Sequence, residues 1–179
     1  MTPKYLKFSY RNNINKLKLV NNLQKKIGFP LVVKPLNEGS SVNVFICNKN
    51  NILKTLTKLN EYGEVLLEKY IPGREIQVAI LENKVLGAIE LRPTRKFYDY
   101  QAKYNPKART EHIIPVEISK RKYQELTKIA LKAHKILNCR GVTRSDFRYY
   151  KNSFYLLETN TQPGMTSLSL VPEIANFNN

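Results

Sequence analysis

Gly141-Val142-Thr143-Arg144-Ser145-Asp146-Phe147 and Phe154-Tyr155-Leu156-Leu157-Glu158-Thr159-Asn160, joined through the turn-like Lys151-Asn152-Ser153, decide how this chain is read. Both runs have the β-branched and aromatic content of strands, and the short polar link makes them a β-hairpin. Each carries a polar cluster in an otherwise buried-looking segment: Arg144-Ser145-Asp146 in the first, Glu158-Thr159-Asn160 in the second. Ionised carboxylates are costly to bury without a partner. An all-oxygen set of Asp, Glu and Asn suits a hard cation such as Mg²⁺, which takes few protein ligands and shares the rest with phosphates. The hairpin therefore reads as a metal and phosphate site, and a surface Arg–carboxylate ion pair is the competing reading.

The metal reading carries a geometric condition, because side chains alternate along a strand and a one-residue slip sends each to the other face. A three-residue loop, Lys151 to Ser153, with Tyr150 opposite Phe154 puts Asp146 across from Glu158 and Arg144 across from Asn160. A two-residue loop with a regular ladder separates them.

The rest of the chain constrains what such a site serves. With 179 residues, 42% apolar and 10% aromatic, the chain has the composition of a soluble globular protein of one domain or two small lobes. No apolar run approaches the ~18 residues of a membrane span, and the N-terminus lacks a signal-peptide pattern, so the expected location is cytoplasmic. Cys47 and Cys139 have no metal-like spacing and read as free thiols. The net charge of +16 would by itself suggest a polyanionic partner, and no acidic residue precedes Glu38. These charges are scattered among Asn, Leu and Ile rather than interleaved with aromatics, and 19 Asn with 21 Lys is a bias that an AT-rich coding sequence also produces. Specific nucleic-acid binding is thus the remote alternative.

Leu17, Val20, Leu23 and Ile27 recur at helical spacing, and Gly28 and Pro30 stop that helix. Leu31 to Pro35 reads as a strand leading into the small-residue loop Asn37-Glu38-Gly39-Ser40-Ser41, which could cover phosphate. Ile52 to Leu59 reads as a short helix, and Glu64 to Tyr70 and Glu75 to Glu82 as strands about the Ile71-Pro72-Gly73 reversal. Lys84 to Arg92 completes a hairpin, Phe97 to Arg109 is a polar, aromatic-rich loop of the kind that forms lids, and Ser119 caps a helix reaching about Leu137. His134 falls on that helix as a structural residue, and His112 has no evident partner. Strands interrupted by helices without regular βαβ alternation give an α+β fold in two lobes.

Five segments in order resemble the ATP-grasp enzymes, and within them the D-alanine–D-alanine ligase family. They are Val33-Lys34-Pro35 with Glu38-Gly39-Ser40-Ser41-Val42; Glu68-Lys69-Tyr70-Ile71-Pro72-Gly73-Arg74-Glu75; Asp99-Tyr100-Gln101-Ala102-Lys103-Tyr104; Gly141 to Phe147; and Leu157-Glu158-Thr159-Asn160-Thr161-Gln162-Pro163-Gly164-Met165-Thr166. The metal hairpin is general to ATP-grasp proteins, whereas the Asp-Tyr-x-Ala-Lys-Tyr segment and the Asn-Thr-x-Pro-Gly-Met-Thr run are similar to the D-alanine ligases in particular. The resemblance implies two lobes, 1–71 and 72–179, with the nucleotide between them and the metal and D-alanine sites in the second. It implies ATP-dependent joining of two D-alanines through an acylphosphate, for peptidoglycan precursor and cell-wall synthesis.

By the same resemblance, Lys34 neutralises the α- and β-phosphates, the Ser40-Ser41 loop covers them, Glu68, Lys69 and Ile71 hold adenine, and Glu75 takes the ribose hydroxyls. Asp146, Glu158 and Asn160 hold two Mg²⁺, for which Mn²⁺ could substitute. Lys103 meets the transferred phosphate, Arg144 and the Gly164 N–H form the oxyanion site, and Ser169 and Leu170 bind the second D-alanine's carboxylate. Ser40 and Tyr104 join the catalytic set, Tyr104 matching members that form a dipeptide rather than a D-lactate ester. The chain departs from the pattern at Asn43, where the family has glycine, and at Leu168, where a histidine is common. Relative to the family it lacks an N-terminal domain and the preceding segment with a second phosphate-binding lysine, and Glu173 to Asn179 reads as a polar end in place of a further helix. The expected partners are therefore D-alanine and ATP, with a separately encoded N-terminal domain or a second copy of the chain as further candidates. An inactive or split-gene remnant that only binds Mg-ATP is the alternative.

Overall fold

The computed structural model describes residues 1–10, 15–39, 41–93 and 110–177. Two compact units emerge, one built from Pro3–Ile71 and the other from Met1–Thr2 with the described residues from Pro72 onward.

In the first unit, β1 (Tyr5–Ser9), β2 (Leu31–Pro35), β3 (Phe45–Cys47) and β4 (Glu64–Lys69) form an antiparallel sheet in the order β1-β4-β2-β3. Helix α1 (Lys16–Lys26) starts where the Asn15 side chain accepts from Lys18 N at 3.0 Å, and ends with two lysines in the last turn, where the helix dipole favours cations. Gly28, at φ +77°, makes the left-handed exit that a residue with a side chain resists. With α2 (Ile52–Lys58) it covers a core that includes Leu23, Leu31, Val33, Ile52, Leu59, Val65 and Leu67. Alternation then leaves Lys34 and Glu68 on the opposite face from Val33 and Leu67.

The second unit is an antiparallel sheet ordered β7-β6-β5-β8-β9, with β5 Arg74–Leu81, β6 Lys84–Pro93, β7 Thr110–Ile113, β8 Val142–Tyr150 and β9 Ser153–Asn160. Helix α3 (Lys120–Ile136) begins at Ser119, whose hydroxyl accepts from Lys122 N at 3.3 Å. It packs Leu126 and Ala130 onto Ile76, Val78, Ile80, Phe147 and Phe154. His134 is buried on this helix, bonded at 2.8 Å to Thr143 Oγ1, in keeping with a structural role. A final helix, α4 (Leu170–Phe177), stands where the sequence suggested only a polar end. Its Val171 and Ile174 are buried, and apolar residues one helical turn apart are enough to fold so short a segment onto a sheet. Among the described residues no helix is long and apolar enough to cross a membrane.

The β8–β9 hairpin differs from expectation in its turn. Tyr150 pairs with Ser153, so the loop is the two residues Lys151 and Asn152, both with positive φ (46° and 62°), as a two-residue turn matched to strand twist requires. A regular ladder from there would place Asp146 across from Leu157. A β-bulge between Asp146 and Phe147 restores the pairing: Phe147 faces Leu156, Asp146 faces Glu158 and Arg144 faces Asn160. The expected juxtaposition is present by a different route, an extra residue on β9 rather than in the loop.

Candidate functional site

The second unit presents a polar sheet face opposite α3. Residues directly across an antiparallel ladder share a face, so the registers of β5, β8 and β9 define rows. One row is Gln77, Asp146 and Glu158; the next along the strands holds Ala79, Arg144 and Asn160; on the other side lie Glu75, Arg148 and Tyr155. Asp146 is buried while Glu158 is exposed, so the face grades from a protected floor at β8 to an open rim at β9.

Arg144 donates to Asp146 through Nε (2.8 Å to Oδ1) and Nη2 (3.0 Å to Oδ2), the bidentate geometry a guanidinium fork favours. The ion-pair reading and the metal reading thus describe the same residues. A carboxylate oxygen accepts more than one partner, so the fork and a cation are compatible on Asp146. Asn160 Nδ2 approaches Glu158 Oε1 at 3.5 Å, which leaves the Asn160 amide oxygen free of that contact. Among the described residues no three His, Cys, Asp or Glu side chains group as a metal site. Asp146, Glu158 and Asn160 together offer two carboxylates and an amide, a donor set that fits Mg²⁺ shared with phosphate rather than a closed protein cage.

Glu75 on β5 pairs with Arg148 at 2.9 Å, and Arg148 also donates to Gly73 O at 3.1 Å. Sequence reasoning did not single out Arg148, although its even spacing from Arg144 and Asp146 placed it on their face. Past β9, the chain turns tightly: Ser169 Oγ lies 3.1 Å from Thr166 N and 3.0 Å from Thr166 Oγ1. A Cβ at Gly164 would meet Ser169 Oγ at 2.8 Å, so glycine permits the approach of Gly164 to Ser169 just before α4 begins at Leu170. His112, left without a partner by the sequence, pairs with Glu173 of α4 at 2.8 Å and ties that helix to β7.

In the first unit, Lys34 Nζ lies 2.7 Å from Glu68 Oε2, both side chains largely buried. Lys69 Nζ donates to Phe29 O at 3.0 Å, so its head is held by its own unit. Ile71 ends this unit. The loop after β2 contains Ser41 at φ 60° and Asn43 at φ 54°, the left-handed backbone that asparagine tolerates. Asn43 Nδ2 donates to Tyr62 OH at 2.7 Å, which holds the loop without the glycine. Ser40, Lys103 and Tyr104 lie outside the described residues, as does the Phe97 to Arg109 segment.

The chain is similar to known proteins in sequence and in fold. The chain is 62% identical over 175 residues to a D-alanine--D-alanine ligase of Pelagibacter ubique, covering 98% of this chain and 57% of that protein. It superimposes on a D-alanine--D-alanine ligase from Bacillus anthracis with a TM-score of 0.82 at 36% identity, over 98% of this chain and 56% of the other. The same enzyme complexed with ATP gives 0.77 at 33%, over 98% and 55%. That likeness makes the two-sheet architecture the ATP-grasp fold. The chain spans about half the length of the curated relatives it matches. The family model described as the D-ala D-ala ligase C-terminus matches residues 1–178, and the chain belongs to that family.

Proposed function

We propose that this chain supports ATP-dependent joining of two D-alanines through an acylphosphate, in the making of a peptidoglycan precursor in the cytoplasm. The observation that carries the reading is the row geometry: a bulge aligns Asp146 with Glu158 and Arg144 with Asn160 on one polar face, in a chain of this family. Residues 1–71 act as the smaller nucleotide-binding lobe and 72–179 as the lobe with the metal and D-alanine sites.

Asp146, Glu158 and Asn160 would hold Mg²⁺, which when bound offsets the charge of the phosphate oxygens during transfer. Arg144, braced on Asp146, and the Gly164 N–H donate to the oxygen of the tetrahedral intermediate, where prepositioned donors are most effective. Lys34, aligned by Glu68, neutralises the α- and β-phosphates. The left-handed turn at Ser41 supplies N–H donors to them, with Ser40 beside it. Glu68, Lys69 and Ile71 serve adenine, and Glu75, oriented by Arg148, accepts from the ribose hydroxyls. Ser169 and the first N–H of α4, at Leu170, receive the second D-alanine's carboxylate, as the positive end of a helix favours. Lys103 meets the transferred phosphate, and Tyr104 selects an amine over a hydroxyl acceptor.

The test is phosphate release from ATP by the purified chain. Release that requires both D-alanine and Mg²⁺, with D-alanyl-D-alanine as product, is the expected result. Nucleotide binding without D-alanine-dependent release refutes ligation by this chain alone and leaves it a nucleotide-binding protein.

A further inference from the structure

Gln77 was not among the residues singled out by sequence, yet the fold sets it in the acidic row. It lies on β5 directly across from Asp146 of β8, and Asp146 lies directly across from Glu158 of β9, so Asp146 stands between two longer side chains on one face. Gln77 is 1% exposed, and its Oε1 has no hydrogen-bond partner among the described residues. Leaving a buried amide oxygen unsatisfied costs ~1–3 kcal/mol. Its strand neighbours Ile76, Val78, Ala79 and Ile80 are all apolar and buried, so an aliphatic side chain at 77 would avoid that cost. A buried acceptor kept at such a position, beside the carboxylates, is expected to have a use.

We propose that Gln77 is a positioning residue for the cation site: its Oε1 accepts a hydrogen bond from a water on the cation held by Asp146 and Glu158. This rests on the metal reading of that row. Side chains opposite one another in a ladder have Cβ atoms ~4.5–5.5 Å apart. Gln77 and Glu158 each have one methylene more than Asp146, so each is long enough to reach over it from its own side, Glu158 with a carboxylate and Gln77 with an uncharged oxygen. Mg²⁺ keeps several waters in sites of this type, and each needs an acceptor to hold a fixed orientation. Outer partners of this kind change metal affinity by ~10–100-fold when lost.

The experiment uses Mn²⁺ alone, without nucleotide, titrated into the full chain and read by water-proton relaxation, which reports bound Mn²⁺ and its remaining waters. Gln77→Leu should weaken Mn²⁺ binding about tenfold or more while the urea midpoint stays the same or rises, because an unsatisfied acceptor has been removed. Gln77→Glu, which keeps an oxygen there and adds charge, should bind Mn²⁺ at least as tightly as the parent. Gln77→Leu binding Mn²⁺ like the parent overturns the proposal, and so does weaker binding by a folded Gln77→Glu. Asp146→Asn separates the two levels. If it weakens Mn²⁺ binding and Gln77→Leu does not, only the role of Gln77 falls; if Asp146→Asn changes nothing, the metal reading falls and the proposal with it.

Discussion

Glu90→Gln tests how far the second unit depends on a buried ion pair. Glu90 is 1% exposed on β6, where it accepts from Arg74 Nε at 2.9 Å and from Arg74 Nη2, and lies 3.4 Å from Arg92 Nη2. Removing one partner of a fully buried pair typically costs ~3–5 kcal/mol. Here Arg74 is 31% exposed and Arg92 50%, so both can be rehydrated, and glutamine keeps one acceptor for Arg74. The expected loss is about 2 kcal/mol, a fall of ~1 M in the urea midpoint for a chain of this size. Burial alone would raise the Glu90 pKa, but the Arg74 hydrogen bonds and charge, with Arg92, outweigh it and hold the carboxyl below its ordinary 4.5. A group lowered in the folded state contributes stability above its unfolded value and loses it as pH falls through the folded value. The gap between parent and variant should therefore be full at pH 7 and shrink below about pH 4.5. Equal urea midpoints at pH 7, or a gap that widens in acid, would refute the reasoning.

Two further outcomes follow from local geometry. Gly73→Ala would drive a Cβ into Tyr149 O at a φ of +108°, so the start of the β5–β8 pairing must shift; a loss of ~3 kcal/mol or more in urea unfolding is expected, and a loss under 1 kcal/mol would contradict it. Cys47 is buried, with its thiol pKa pushed up by burial, whereas Cys139 is partly exposed. A thiol reagent at pH 8 should modify one cysteine quickly and the second only on unfolding; peptide mapping that finds Cys47 modified first would be against it.

Much of the fold was legible because local signals agreed with it. The Ser119 cap, the Gly28 stop and the apolar run Leu31 to Pro35 each act within a few residues, and the structure has elements there. Strand β1 was missed although Leu6 and Phe8 alternate with Tyr5, Lys7 and Ser9, because five residues with two apolar positions give only a brief alternation. Strand β3, at three residues, is too short to show a period. The pairing of Asp146 with Glu158 was anticipated, but not the bulge that produces it, since a bulge is a property of two strands and the turn that registers them. His112 and Glu173 are 61 residues apart, a separation at which sequence carries no pairing signal. Gln77 had one, a single amide in an apolar strand, but its significance appeared only when β5 was seen to lie beside β8.

The most direct test of the central claim, that the row through Asp146 and Glu158 holds the cation that carries ATP, is calorimetric titration of Mg-ATP into the full chain and its Asp146→Asn and Glu158→Gln variants. Both substitutions preserve shape and remove charge. The account predicts binding by the parent and a loss of about tenfold or more in each variant, ~1.4 kcal/mol per decade. Affinities unchanged by either substitution would contradict it.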